Sequence, residues 1–205
     1  MSFFSIGFYV PLFADKVCTA DDSIVRQKKR YISQGLLVSF MKEKMDFAWP
    51  VKVCECWISS LYGRRGSGFH YGVDLAASKG TFVFAAADGY IEKIERSNKN
   101  QGYGNMILID HHNSAYKTRY AHLNSIEKHL EHQFKEGKKV HVKKGQKIGT
   151  VGATGHVIRK NSSTDPSHLH FEIYKGKDHI DPLKYLFAAE VMLLKNKKMR
   201  KHKTW

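Results

Sequence analysis

The run His168-Leu169-His170-Phe171-Glu172-Ile173 alternates polar and apolar side chains, and a turn signal, Lys175-Gly176-Lys177, follows it. Alternation of this kind is the period of a β-strand, in which residues i and i+2 share a face. His168 and His170 are therefore expected on one face, with Leu169 and Phe171 on the other. Working outward, the chain after Pro50 keeps the same grammar. Val51, Val53, Ile58, Val83, Phe84, Ile91, Ile94, Met106, Leu108, Ile109, Val140, Val142, Ile148 and Val151 fall in short runs. Turn signals separate them, among them Asp88-Gly89, Gly102-Tyr103-Gly104, Lys144-Gly145 and Gly152-Ala153-Thr154-Gly155. Closely spaced short strands predict a mainly β sandwich or barrel-like antiparallel sheet. Residues 126–135 interrupt the rhythm and predict a short helix. Residues 21–46 read as one or two helices that precede this domain. Asp21 or Asp22 serves as N-cap there, Ile24, Tyr31, Leu36, Leu37, Phe40 and Met41 recur at helical intervals, and Gly35 is a break.

Two imidazoles on one strand face can hold a metal, or one can hold it while the other handles a proton. The bland alternative is an exposed pair, and with 12 histidines in the chain His-x-His alone means little. A second string, His70-Tyr71-Gly72-Val73-Asp74, offers an imidazole and a carboxylate four residues apart, both suited to zinc. Added to one histidine of the HLH string, it supplies three protein ligands and leaves one position for water. That is the composition of a catalytic zinc site, because a structural one is closed by four protein ligands. No His-Glu-x-x-His helix is present, so proton handling falls to further histidines. Tyr120-Ala121-His122-Leu123 is the third string of this kind.

The three strings together resemble the LytM/lysostaphin-type zinc metallopeptidases, peptidase family M23, whose pattern is HxxxD, then a YxHL-type histidine, then HxH. Neighbouring segments agree. Trp49-Pro50-Val51 resembles the opening strand of the domain, and Ser59-Ser60-Leu61-Tyr62-Gly63-Arg64-Arg65 its FGxR turn. Gly80-Thr81-Phe82-Val83 with Ala86-Ala87-Asp88-Gly89 resembles its GTxV…AxxDG hairpin. Gly102-Tyr103-Gly104-Asn105 resembles GxGN, Val142 to Gly149 resembles VkkGQxIG, and Asp181-Pro182 closes the match. The resemblance implies a LytM-like antiparallel β domain of barrel-sandwich hybrid type with a groove, behind an α-helical N-terminal extension. It implies His70, Asp74 and His170 as ligands of one Zn2+ per chain, with His122 and His168 as catalytic histidines. Its implied activity is endopeptidase cleavage of peptide cross-links in bacterial peptidoglycan, and its implied location is the periplasm or cell envelope. A non-catalytic wall-binding or hydrolase-activating domain of the same fold is the alternative, which the complete ligand set disfavours. Residues 125–140 and 156–167 look longer than minimal for loops that rim the groove in this family. The eight other histidines, His111, His112, His129, His132, His141, His156, His179 and His202, match no motif and are expected at the surface or in turns.

Composition sets the outer bounds. The 205 residues suffice for one ordinary domain with extensions. With 42% hydrophobic and 26% charged residues, neither wholesale disorder nor a polytopic membrane protein is indicated. The net charge of +15 calls for an anionic partner. It divides as +2 over residues 1–46, +8 over 47–186 and +5 over 187–205, so the chain reads as an extension, a peptidase-type domain and a solvated basic tail. Charge alone would suit nucleic acid, but no nucleic-acid motif accompanies it, and none is expected as a partner. The VKKGQKIGTVGATG hairpin resembles a lipoyl or biotinyl carrier only in part, and such a carrier leaves the histidines unexplained. Ser2 to Ala14 is apolar and too short to span a bilayer, which needs about 20 apolar residues. It reads as an export signal or a membrane-associating segment, or as a stretch packed on the domain. Cys54 and Cys56 are too close to bridge each other, Cys18 lies far upstream, and no CxxC pair suggests a zinc knuckle. The redox compartment is open on this reading, as is the oligomeric state.

Overall fold

A computed structural model describes residues 18–36, 46–97, 101–111, 115–158 and 164–189. The N-terminal helix α1 spans Asp22–Ser33, and the Asp21 carboxylate caps it by accepting from Ser23 N–H at 2.8 Å. Ile24 and Tyr31, two turns apart, form its buried stripe. The helix ends at Gln34, and Gly35 follows at φ +65°, a left-handed conformation that glycine adopts freely. The expected break is therefore present. The apolar positions Leu37, Phe40 and Met41 lie outside the described residues.

Thirteen strands follow: β1 (Trp57–Ser60), β2 (Gly63–Arg65), β3 (Gly68–His70), β4 (Val73–Ala76), β5 (Phe82–Phe84), β6 (Gly89–Glu95), β7 (Met106–Asp110), β8 (Tyr116–Ala121), β9 (Leu123–Ile126), β10 (His141–Val142), β11 (Lys147–Val151), β12 (His168–Lys175) and β13 (Asp178–Ile180). Helix α2 (Lys128–Lys135) sits between β9 and β10. The largest sheet runs β1-β4-β12-β8-β7-β6-β10, with β13 also paired to β12. A second sheet runs β5-β11-β9, and β2 and β3 form a hairpin. Every pairing is antiparallel, in agreement with the mainly β expectation.

One apolar cluster joins the sheets. Ile107, Ile109, Leu169, Phe171 and Ile173 of the large sheet meet Val83, Leu123, Ile126, Ile148 and Val151 of the smaller one. Leu169 and Phe171 thus fill the apolar face of β12, as their alternation requires. The opposite face is also covered, and Glu172 there is fully buried. Trp49-Pro50-Val51 lies outside any strand ladder and bends at Pro50 and Val51, where an opening strand was expected. Pro50 has no N–H to give, and the segment is held by Phe84 N–H to Pro50 O (2.8 Å) and Ala48 N–H to Ala86 O (2.7 Å). Helix α2 packs against β6, with Arg96 and Glu131 paired at 2.6 Å, two strands from β8 in the sheet order.

The third helix among the described residues, α3 (residues 182–189), carries Phe187, Ala188 and Ala189, all buried. Packed chain therefore continues three residues past the point where the basic tail was expected to begin. The apolar sequence of these residues explains this, because Phe187 packs edge-on against Tyr31 of α1 at 5.5 Å. The lysine-rich residues after 189 lie outside the described chain.

Candidate functional site

Strand register assembles the site. On β12 and β4, His170 and Asp74 are direct cross-strand partners. His170 is also opposite Ala121 on β8, which puts His122 at the same end of the sheet. His70 closes the β2–β3 hairpin and reaches the same place. One ligand atom from each of His70, Asp74 and His170 lies within 4.8 Å of the others, so a single cation fits between them. Closest approaches are 3.0 Å from His70 Nε2 to Asp74 Oδ1, 2.8 Å from His170 Nδ1 to Asp74 Oδ1, and 3.0 Å between His70 Nε2 and His170 Nδ1.

Each imidazole has its second nitrogen fixed. His70 Nδ1–H donates to Leu61 O at 2.7 Å, leaving Nε2 for the centre. His170 is turned the other way, because its Nε2–H donates to Glu172 Oε1 at 3.0 Å and leaves Nδ1 inward. His122 Nδ1–H donates to Thr154 O at 2.7 Å, and His168 Nδ1–H to Pro166 O at 2.8 Å. Both therefore keep an unprotonated Nε2 when neutral. His168 Nε2 stands 3.9 Å from Asp74 Oδ1, and the His122 ring is 4.8 Å from His168 and 5.8 Å from His170. All five side chains expected at the site meet there.

Burial opposes ionisation of Asp74, but the neighbouring imidazoles of His170 and His70 outweigh it and hold the carboxyl far below the usual range. Burial likewise pulls His170 down, and the neighbouring Asp74 and Glu172 carboxylates overcome this and raise its pKa. For His122 burial acts first and the neighbouring His168 adds to it, so its pKa is pushed down to about 4. The cluster is a partly enclosed cradle with one histidine kept neutral beside it.

Some partners were not singled out from sequence. Glu172 is fully buried and also accepts from Tyr103 OH (2.7 Å), Tyr174 OH (2.6 Å) and Arg119 Nη1 (2.8 Å). Its signal was present, since Glu172 continues the His168, His170 alternation. Arg65 places Nη2 3.6 Å from Asp74 Oδ2 and is hydrogen-bonded to Ser60 Oγ. Of the unmatched histidines, His129, His132, His141 and His156 are exposed, as expected, while His112 and His202 lie outside the described residues. His111 differs from expectation: it is buried, donating from Nδ1 to Asp88 O at 2.8 Å. His179 is half-covered, its ring 4.5 Å from Tyr71 and 4.3 Å from Tyr174. Cys18 and Cys54, a pairing that the sequence reading left open, form a disulfide with Cα atoms 5.3 Å apart. Folding brings α1 to the β1 end of the domain, a proximity that spacing cannot reveal.

Residues 68–182 match the model of peptidase family M23. The murein hydrolase activator NlpD of Escherichia coli is 40% identical over 141 residues, covering 67% of this chain and 30% of NlpD. The peptidoglycan DD-endopeptidase ShyB of Vibrio cholerae is 37% identical over 129 residues, covering 63% of this chain and 26% of ShyB. The chain thus spans less than a third of the length of either relative. Among solved structures, a zinc containing peptidase from Vibrio cholerae superposes with a TM-score of 0.53 at 31% identity, covering 68% of this chain and 40% of that one. With the family model spanning more than half its length and the ligand strings inside that span, this chain belongs to peptidase family M23.

Proposed function

We propose that the chain is a zinc-dependent endopeptidase that hydrolyses peptide cross-links of bacterial peptidoglycan. The observation that carries this reading is the convergence of His70 Nε2, Asp74 Oδ1 and His170 Nδ1 beside two histidines whose Nε2 atoms are free. Two nitrogens and one carboxylate oxygen suit zinc, and three protein ligands leave an open position. When bound there, zinc supplies Lewis acidity toward a peptide carbonyl and makes water acidic enough to attack near neutral pH. His122 and His168 divide the remaining tasks. One accepts the proton from the attacking water, the other faces the developing oxyanion, and the accepted proton passes to the leaving amine. The bonds to Thr154 O and Pro166 O hold both rings with Nε2 toward that chemistry.

The anionic wall is a natural partner for a chain of net charge +15. A disulfide between Cys18 and Cys54 suits the oxidising conditions outside the cytoplasm, in keeping with action in the periplasm or envelope. No helix among the described residues is long and apolar enough to cross a membrane.

The likeness to a protein named a murein hydrolase activator favours a second reading, a non-catalytic domain that acts on other hydrolases. The complete ligand set supports the first. Metal analysis combined with mass spectrometry of fragments released from purified peptidoglycans of different cross-link type separates them. A zinc-replete protein that releases no peptide from any wall would sink the endopeptidase reading. His170→Ala and Asp74→Ala are expected to lose both metal and activity. His168→Ala is expected to keep its metal and lose turnover, and full activity in that variant would overturn its assignment.

A further inference from the structure

Glu172 lies one alternation beyond His170 on β12, and its side chain is inaccessible to solvent. A carboxylate has about four acceptor directions, two per oxygen. Here all are used: Oε1 takes His170 Nε2–H at 3.0 Å and Tyr103 OH at 2.7 Å, and Oε2 takes Arg119 Nη1 at 2.8 Å and Tyr174 OH at 2.6 Å. Arg119 is the register partner of Glu172 across β8 and β12, and its guanidinium lies 4.1 Å from the Tyr103 ring centre. Burying this carboxylate is costly, and the Arg119 pair with the two hydroxyls offsets that cost. The remaining bond, to His170, does something separate. It favours the proton on Nε2, in competition with Asp74 Oδ1, which stands 2.8 Å from Nδ1.

We infer that Glu172, clamped by Tyr103, Arg119 and Tyr174, is a positioning residue that keeps the His170 proton on Nε2 and turns Nδ1 toward Asp74 and His70. The inference rests on the metal-site reading above. The other ring orientation would put an N–H, which binds no metal, against Asp74 and His70. A carboxylate behind a ligating imidazole also strengthens its donation to the metal. The Tyr103 hydroxyl holds the same oxygen that faces His170, so the carboxylate cannot swing away without breaking two bonds.

The test uses the zinc-loaded protein. In the wild type, long-range 1H–15N correlations of His170 should show the proton on Nε2. In Glu172→Gln, zinc affinity measured against a competing chelator is expected to fall about 10- to 100-fold, with an altered absorption spectrum of the Co2+-substituted protein and an unchanged far-UV circular dichroism spectrum. Tyr103→Phe, which leaves the buried charge in place, is expected to shift affinity the same way by less. Wild-type zinc affinity and cobalt spectrum in a folded Glu172→Gln, or a His170 proton on Nδ1 in the wild type, would overturn the inference. Should Glu172→Gln not fold, the wild-type correlations and Tyr103→Phe decide it: unchanged affinity in Tyr103→Phe would then overturn it. Wild-type protein that takes up no zinc would instead remove the metal-site reading itself, and the inference with it.

Discussion

His122 is the only residue between β8 and β9, and it takes φ +61°, the sole non-glycine residue with positive φ among those described. This conformation lets the chain pass from the large sheet to the smaller one in a single step. Its N–H donates to Tyr103 O at 2.9 Å and its Nδ1–H to Thr154 O, so backbone and ring are both pinned. A side chain in the left-handed region costs about 1–2 kcal/mol relative to glycine. His122→Gly should therefore be more stable to denaturant than His122→Ala by about 1 kcal/mol, while neither releases wall peptides. Equal stability of the two variants would mean that the site stores no backbone strain. The chemistry of this residue was legible only through the resemblance that Tyr-Ala-His-Leu helps to carry, because the string by itself is a single imidazole between apolar residues. Its backbone conformation was not, because a one-residue joint between two strands looks like continuous strand in sequence. Glu172 was half legible: the alternation puts it on the His170 face, but its partner Arg119 emerges only from the β8–β12 register.

The joint of β4 and β12 does at the level of elements what the ligands do at the level of atoms. Gly72 precedes β4 where its backbone presses on β12, and a Cβ there would lie 2.5 Å from Phe171 O and 2.9 Å from His170 Cε1. A backbone carbonyl cannot move aside cheaply, so Gly72→Ala is expected to cost about 1–3 kcal/mol and to displace the His170 ring. Thermal unfolding and zinc titration of that variant should show both losses, and unchanged zinc affinity would contradict the close fit. The glycine of His-Tyr-Gly-Val-Asp thus has a steric reason that its motif alone does not state. At the end of β7, His111 behaves unlike the surface histidine its sequence suggests. Asp110-His111-His112-Asn113 reads as a turn, but Phe47, far away in sequence, packs edge-on against the ring at 5.4 Å. Burial lowers the His111 pKa, against partial support from its bond to Asp88 O. The folded protein thus keeps His111 neutral where the unfolded chain binds a proton, and stability is lost as pH falls below about 6.5. The slope attributable to one such proton is at most about 1.4 kcal/mol per pH unit. Melting temperatures between about pH 5.5 and 7.5 should vary less in His111→Gln than in the wild type. Parallel curves would show that His111 titrates normally.

For the whole molecule, the question is how an N-terminal helix with little core of its own stays on a β domain. Four ties hold it, three at its N-terminal end and one from its last turn. Asp21 N–H donates to Val53 O at 3.3 Å, Ile58 N–H to Ser23 Oγ at 2.9 Å, and Tyr31 OH to Asp181 Oδ2 at 2.7 Å. The Cys18–Cys54 bridge is the fourth and closes a separation of 36 residues. Phe187 of α3 packs on both Tyr31 and Trp49, so the start and the end of the described chain are clasped together. The helix was readable from its cap and its apolar spacing, whereas its docking depends on partners distant in sequence, from Val53, Cys54 and Ile58 to Asp181 and Phe187, and left no local trace. The hydrogen bonds from Ile58 and Tyr31 are part-buried, and each is worth about 1 kcal/mol. The covalent tie is thus the largest single constraint on the helix. Limiting the unfolded chain by a loop of this size stabilises by about 2–4 kcal/mol. Reduction should lower the melting temperature by about 5–15 °C, given about 2–4 °C per kcal/mol for a chain of this length. Cys18→Ser/Cys54→Ser without reductant should match the reduced wild type, with Cys56 buried and free in both. Reduction should leave zinc binding intact, because none of the three ligands lies on α1 or beside the bridge. A melting temperature indifferent to reductant would show that packing alone holds the helix. Loss of zinc on reduction would show that the clasp reaches the β4–β12 joint.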